Sequence, residues 1–457
     1  MKSINPFNIA VVAASLLLSS SCFALTTTEK QQKLEQLLAS VNQPAAPGMT
    51  VLVRVGDEIL LRRATGLANL ELQSKMQPDM VMRLASQTKQ FTAVATLILV
   101  QQGKLKLTSK VSDLLPDYPA PGRDLTVHQL LSHSTGLKNL SRLPEFRDNK
   151  AKDASLAELL ALFNTQPLQF APGSQFAYSN SNYVLLTALI EKASGQSYAS
   201  YLTQYIFQPL GMSHSGYDNQ QAIIPQRAAG YTPTEQGFAN AEVISMTRPQ
   251  GAGGLYSNVD DLNLWDQALA QHKLLTPELT KLLFTKHKTT DGTPQPYGYG
   301  FMMADLQGLA TQEHSGGIEG FTNYIIRIPA RQVYVAVLSN NEAADTYSLA
   351  VKMAAIAMDQ PFEPEAVQLS KTQLSSISGT YQFDDEAKRI ISVEKGNVFS
   401  ERVGGAKLRL IPTKEGKFYI ENDFNYFTFS QGKAIYQMRG MPAIAGKKLP
   451  QILIFAS

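Results

Sequence analysis

Three short groupings in this 457-residue chain combine side chains that can do chemistry. In Ser86-Gln87-Thr88-Lys89 a hydroxyl and an amine stand three residues apart. A serine hydroxyl is a poor nucleophile at neutral pH and needs an adjacent base. At the start of a helix, Lys89 would sit one turn on and share a face with Ser86. Burial and the positive helix end both oppose a charged ammonium, which leaves an amine able to accept a proton. The Ser86 N–H at that same end can donate to an oxyanion. Tyr178-Ser179-Asn180 offers a phenol that can shuttle protons near a lysine and an amide that can hold a substrate. His314-Ser315-Gly316-Gly317 offers glycines that let a substrate approach the backbone, with the Gly317 N–H as a second oxyanion donor. Each grouping alone also fits something plainer: a helix cap, a surface turn, a surface histidine. Look-alikes occur too: Ser392/Lys395, Ser430/Lys433, Tyr217/Asn219, Tyr256/Asn258 and His214-Ser215-Gly216.

The elements that must position these groups can be read in outline. Leu34, Leu37, Leu38 and Val41 mark one face of an amphipathic helix. Val51, Val53 and Val55 alternate before a Gly56-Asp57 turn into Ile59-Leu60-Leu61, which predicts a hairpin. Phe91 to Val100 is apolar nearly all round, as in a helix buried in a core, with Gly103 as its stop. Thr126/Gln129, Ser155/Glu158 and Thr276-Pro277 carry helix-start chemistry. Tyr324–Ile326 and Val333–Val337 predict paired strands just after the His314 turn, and a helix follows over Thr346–Met358. From Ser378 onward only short strand-like runs remain: Thr380–Phe383, Arg389–Val393, Val398–Arg402, Lys407–Ile411, Lys417–Ile420, Tyr426–Phe429, Ala434–Met438 and Ile452–Phe455. Eight strands so closely spaced suggest a small closed barrel, with a short open sandwich as the plainer alternative.

Taken together and in chain order, Ser86, Tyr178 and His314 resemble the serine beta-lactamase and penicillin-binding protein superfamily. The likeness is strongest to its class C-like branch of esterases, D-aminopeptidases and D,D-peptidases. Flanking segments carry it further: Met82–Ala93, Leu130-Leu131-Ser132-His133-Ser134-Thr135-Gly136-Leu137, Pro209-Leu210-Gly211-Met212 and Gly251-Ala252-Gly253-Gly254-Leu255-Tyr256-Ser257. The resemblance spans about residues 30–358, and the tail resembles the lipocalin-like barrel appended to some members. It implies a mixed α/β fold: a beta-lactamase-like antiparallel sheet flanked by helices, an all-helical subdomain, and a small C-terminal antiparallel β-barrel. It also implies an acyl-enzyme at Ser86, with Lys89 and Tyr178 sharing base and acid roles. The Ser86 and Gly317 N–H groups would hold the oxyanion, and Asn180, His314, Ser315 and Gly316 would bind substrate. Neither a metal nor a cofactor is implied. One departure matters: class C beta-lactamases carry Lys-Thr-Gly where this chain has His314-Ser315-Gly316. A histidine is largely neutral at pH 7, which points away from beta-lactam carboxylates and toward small esters or D-amino-acid peptides.

Composition narrows the remaining classes. With 41 Lys+Arg against 38 Asp+Glu the formal charge is +3, which gives no electrostatic footprint for nucleic acid. The lone cysteine, Cys22, excludes an intrachain disulfide and a cysteine-based zinc site, and none of the six histidines falls in H-E-x-x-H. Lys2, the apolar run Ile9–Leu18 and the small residues up to Ala24 read as a secretory signal cut after Ala24, so the protein is expected in the periplasm or medium. Acylation of Cys22 is the competing route. The expected organisation is a signal peptide over 1–24, a hydrolase domain over 25–360, a linker over 361–377 and a barrel over 378–457, with no transmembrane helix. Besides an ester or D-amino-acid amide hydrolase, two readings stand: a D,D-peptidase or weak beta-lactamase acting on cell-wall peptides, and an inactive ligand-binding scaffold.

Overall fold

The computed structural model describes residues 25–362, 364–383, 387–421, 423–440 and 443–450. The expected signal segment and the strand expected at Ile452–Phe455 lie outside these residues.

Helix α1 (Thr27–Val41) starts at a reciprocal cap between Thr26 and Glu29 and buries Leu34 and Leu38. It leads into the hairpin of β1 (Met49–Val55) and β2 (Glu58–Thr65). Four later strands complete the sheet: β3 (Met302–Leu306), β4 (Leu309–Ile318), β5 (Phe321–Ile328) and β6 (Val333–Ser339). Their order is β3-β4-β5-β6-β1-β2, and every neighbouring pair is antiparallel. Residues therefore alternate between two covered faces. Val51, Val53, Val335 and Val337 pack with α1 and α5 (Thr346–Ala357). Leu52, Ile325, Ala336 and Leu338 face the larger core.

That larger core holds α2 (Thr88–Gln101), whose residues Thr88 through Leu99 are all buried, and α3 (Asn180–Ser194). The short helices Val127–Leu131, Leu156–Ala161 and Pro277–Leu283 begin at Thr126, Ser155 and Thr276, whose side chains accept from the backbone N–H three residues on. Helix α4 (Val259–Ala270) joins sheet to core through a buried charge cluster. In it Asp266 receives Arg327 Nε at 2.6 Å and also pairs with Arg54.

After α5 the stretch expected as a linker contains a capped helix, α6 (Lys371–Ile377), and Val367 N–H donates to Pro412 C=O. Eight antiparallel strands then close a barrel: β7 (Gly379–Gln382), β8 (Lys388–Glu394), β9 (Asn397–Arg402), β10 (Lys407–Pro412), β11 (Phe418–Ile420), β12 (Tyr426–Ser430), β13 (Lys433–Gln437) and β14 (Ile444–Lys448). Among the described residues the closing strand is β14. Its sequence Ile444-Ala445-Gly446-Lys447-Lys448 lacks the alternation that marks a strand, but it pairs with both β7 and β13. Tyr381, Ile391, Val398, Leu410, Phe418, Phe427 and Ala434 fill the interior. Among the described residues no helix is long and apolar enough to cross a membrane.

Candidate active site

The chain enters the site through Ala85, whose φ of +46° is left-handed and unfavourable by about 1–2 kcal/mol for a residue with a Cβ. Ala85–Gln87 forms a 3₁₀ turn that runs directly into α2, so Ser86 sits at the N-terminal end of a continuous helical stretch. Side-chain bonds hold this turn against the sheet. Gln87 donates to His314 C=O and accepts from Gln90, while Gln90 accepts from Trp265 Nε1 at 3.0 Å. Asn323 of β5 donates to Leu84 C=O at 3.1 Å.

Lys89 lies one turn beyond Ser86 and is fully buried. Its Nζ is 3.1 Å from Ser86 Oγ, 2.8 Å from Asn180 Oδ1 and 2.7 Å from Ala252 C=O. Desolvation holds the Lys89 pKa well below its ordinary value, and no carboxylate among the described residues opposes this. A neutral amine has two N–H bonds and one lone pair. With Asn180 and Ala252 taking the two hydrogens, the lone pair is left for the Ser86 hydroxyl.

Tyr178 approaches from the turn before α3. Its ring centre is 4.8 Å from Lys89 Nζ, and Ser86 partly opposes the burial-driven rise of its pKa. Burial pushes its pKa up, so the phenol keeps its proton at neutral pH. Asn180 opens α3, donating through Nδ2 to Ser141 Oγ at 3.0 Å while its Oδ1 serves Lys89.

His314 is found in the middle of the ten-residue strand β4, not in a turn before the strands. It is only 2% exposed. Its Nε2 meets Tyr297 OH at 3.0 Å, its Nδ1 meets Ser315 C=O at 2.7 Å, and its ring centre is 6.0 Å from that of Tyr178. Burial pulls its pKa down to about 3. Gly316 packs so tightly that a Cβ would stand 2.3 Å from both Asn323 Oδ1 and Leu84 C=O. A bulkier strand residue would push the Ser86 turn away. Strand β3 ends opposite Glu313, so from His314 onward β4 has no strand partner on its outer side. Ser315 and Gly317 are exposed there.

A cavity of about 520 Å³ opens on this arrangement. Ser86, Asn180 and Gly317 line it, together with Ser141, Phe146, Arg147, Lys150, Arg248, Ala252 and Glu319. His314, Ser315 and Gly316 do not line it, nor does any barrel residue among the described ones. The structure thus brings Ser86, Lys89, Tyr178 and Asn180 into direct contact and sets His314 against Tyr178. The look-alikes fall elsewhere. Tyr256 pairs with Arg83 and Gly216 in a small sheet, and the His214 N–H donates to Asp261.

Other groups here were not singled out by sequence. His133 has a φ of +56°, is fully buried, and stacks 4.4 Å from the Tyr178 ring. Its Nδ1 accepts from Ser179 N–H at 3.3 Å and Asn182 Nδ2 at 3.0 Å, which places its proton on Nε2. Asn139, Ser141, Tyr297 and the Ala252 carbonyl also support the cluster. The segment around His133 carried the family resemblance, but nothing in a lone buried histidine announces what it packs against.

Fold and site together define a serine hydrolase of the beta-lactamase fold. The chain belongs to the beta-lactamase family, whose profile matches residues 31–357. It is 28% identical over 417 residues to penicillin-binding protein 4* of Bacillus subtilis, covering 86% of this chain and 92% of that one. It is 29% identical over 385 residues to a D-aminopeptidase of Gluconobacter oxydans, covering 81% and 68%. Among solved structures, the octameric penicillin-binding protein homologue of Pyrococcus abyssi superposes with a TM-score of 0.65 at 24% identity, over 93% of this chain and all of that one. The D-amino acid amidase of Ochrobactrum anthropi gives 0.62 at 22%, over 73% and 97%.

Proposed function

We propose that this protein hydrolyses D-amino-acid amides and peptides, and small esters, through an acyl-enzyme on Ser86. The observation that carries the reading is the 3.1 Å contact between Ser86 Oγ and a buried Lys89 Nζ whose other two acceptors are already supplied. Ser86 Oγ attacks the substrate carbonyl as its proton passes to Lys89. The Ser86 and Gly317 N–H groups stabilise the resulting oxyanion. The C–N or C–O bond then breaks, and the leaving group takes a proton through Lys89 and Tyr178. Water, deprotonated by the same pair, releases the acyl group as a carboxylic acid and restores Ser86. Asn180 sets the orientation of Lys89 and faces the cavity, where it can also contact substrate. The D-aminopeptidase and D-amino acid amidase relatives support amide substrates of D configuration.

A D,D-peptidase working on cell-wall peptides is the second reading, favoured by similarity to penicillin-binding protein 4* across most of both chains. The deciding experiment compares turnover of D-alanyl 4-nitroanilide and a short-chain 4-nitrophenyl ester, with Ser86→Ala as the blank. Ser86-dependent cleavage of the anilide is expected. Ester cleavage alone would restrict the protein to an esterase, covalent labelling by penicillin would move it to the second reading, and full activity in Ser86→Ala would end the proposal.

Export belongs to this reading, on the strength of the Lys2, Ile9–Leu18 and Ala24 pattern. N-terminal sequencing of the protein from its native host should find Leu25 first. Lipid on Cys22 would show the other export route, and an intact Met1 would overturn export.

A further inference from the structure

The cavity at Ser86 has two electrostatically different sides. Lys150 is held by Glu319 at 2.9 Å and by Glu242, so its charge is already matched. Two other cations line the same space, Arg147 and Arg248, and neither has a carboxylate within ion-pair distance among the described residues. Arg248 is the unusual one. It is 6% exposed, yet among the described residues its only side-chain hydrogen bond runs from Nε to Lys152 C=O at 2.6 Å. Its guanidinium lies 5.4 Å from the centre of the Phe146 ring, which shapes the same cavity wall.

The two outer nitrogens of that guanidinium have no hydrogen-bond partner among the described residues, yet they are not sealed from solvent, and Arg248 lines the cavity. The acids that attract it from farther away are already occupied. Glu158 takes the Ser155 N–H and hydroxyl, and Asp153 accepts from Ser245. What remains available to the fork is the cavity itself. A planar fork in a recess matches a carboxylate in two-point geometry. The loss of the Lys-Thr-Gly lysine at His314 therefore does not leave the cleft without a cation. The cation enters from the segment that leads through Pro249 to Ala252, whose carbonyl orients Lys89.

We propose that Arg248, with Arg147 on the same wall, binds a carboxylate carried by the substrate, so that anionic peptides and esters are preferred. The proposal rests on Ser86 as the acyl-forming residue and adds the charge of the substrate that reaches it.

Two matched pairs of esters test it. 4-Nitrophenyl hydrogen glutarate against 4-nitrophenyl valerate places the carboxylate on the acyl part. 4-Acetoxybenzoate against 4-acetoxybenzamide places it on the leaving group. After subtraction of each ester's own spontaneous rate, which for the glutarate includes attack by its own carboxylate, the native protein should favour the carboxylated member of at least one pair in kcat/KM by about tenfold or more. Arg248→Gln should bring that ratio close to one, and Arg248→Lys should leave an intermediate value. Taking the ratio within each variant cancels any loss of folded protein. Equal turnover of both members of both pairs, or a preference that survives Arg248→Gln, would overturn the proposal. Neutral-ester turnover that persists in Ser86→Ala would instead overturn the acyl-serine reading, so the two failures are distinguishable.

Discussion

The side-chain oxygen of Asn180 accepts a 2.8 Å hydrogen bond from Lys89 Nζ while its amide nitrogen is held by Ser141. Asn180 therefore acts on the base as well as facing the substrate space, and it does so without adding charge. Asn180→Asp would put a carboxylate at that distance. A neighbouring anion favours the ammonium and raises a lysine pKa by about 1–3 units. Because the mechanism uses the neutral amine, the acid limb of the kcat/KM–pH profile should move to higher pH by a similar amount. An unmoved limb would mean that Lys89 is not the base.

Lys89 is hydrogen-bonded to Ser86 and packed against the Tyr178 ring, so their losses should not add. Ser86→Ala and Lys89→Met are each expected to lower kcat by about 10³-fold or more, with the double variant no worse than either single one. Tyr178→Phe, which keeps the ring packing against His133, should cost about 10²–10⁴-fold. Steady-state rates on the nitrophenyl ester check all four. Multiplicative losses in the double variant would indicate independent roles.

Stability should fall in mild acid because of two histidines behind the site. His314 is pulled down from 6.5 to about 3, chiefly by burial, and His133 is lowered by the same cause. Below pH 6.5 the unfolded chain binds protons that the folded protein refuses, so stability is fully present above that value and lost toward the folded-state pKa. Each such histidine contributes a slope of up to about 1.4 kcal/mol per pH unit. Urea midpoints measured from pH 7 to pH 4.5 should decline accordingly, and His314→Asn should flatten the decline. A midpoint constant over that range would contradict the burial of neutral histidines.

Arg439, beyond the end of β13, reaches Glu313 of β4 at 2.6 Å, and both side chains are at most 5% exposed. Its guanidinium also donates to Asp305 C=O and lies 5.5 Å from the centre of the Tyr347 ring. Burial raises the Glu313 pKa and Arg439 opposes the rise, so removing the arginine strands a buried acid one residue from His314. Arg439→Met should cost about 3–5 kcal/mol, and adding Glu313→Met should restore part of it. Denaturant titration reads both. Equal stability of Arg439→Met and the native protein would show that the barrel contact does not brace β4.

Much of this was legible in the sequence, and the rest was hidden for identifiable reasons. Ser86 and Lys89 could be paired because a helix fixes what lies three residues on. The first hairpin, α2 and the three helix starts followed from local periodicity and capping. His314 lies within a strand and not in the expected turn, and Gly316, read as room for substrate, is there for close packing against Leu84 and Asn323. Strand β14 has no apolar alternation, and only closure of the barrel accounts for it. Arg248, His133 and the Glu313–Arg439 pair depend on segments that meet only in the folded chain, which no local pattern can report.

The most direct test of the central claim is intact-mass spectrometry of the protein after reaction with a fluorophosphonate, followed by peptide mapping. The account predicts a single adduct on Ser86, absent in Ser86→Ala and formed at least about 10²-fold more slowly in Lys89→Met. Labelling of another residue, or undiminished labelling of Ser86 without Lys89, would contradict it.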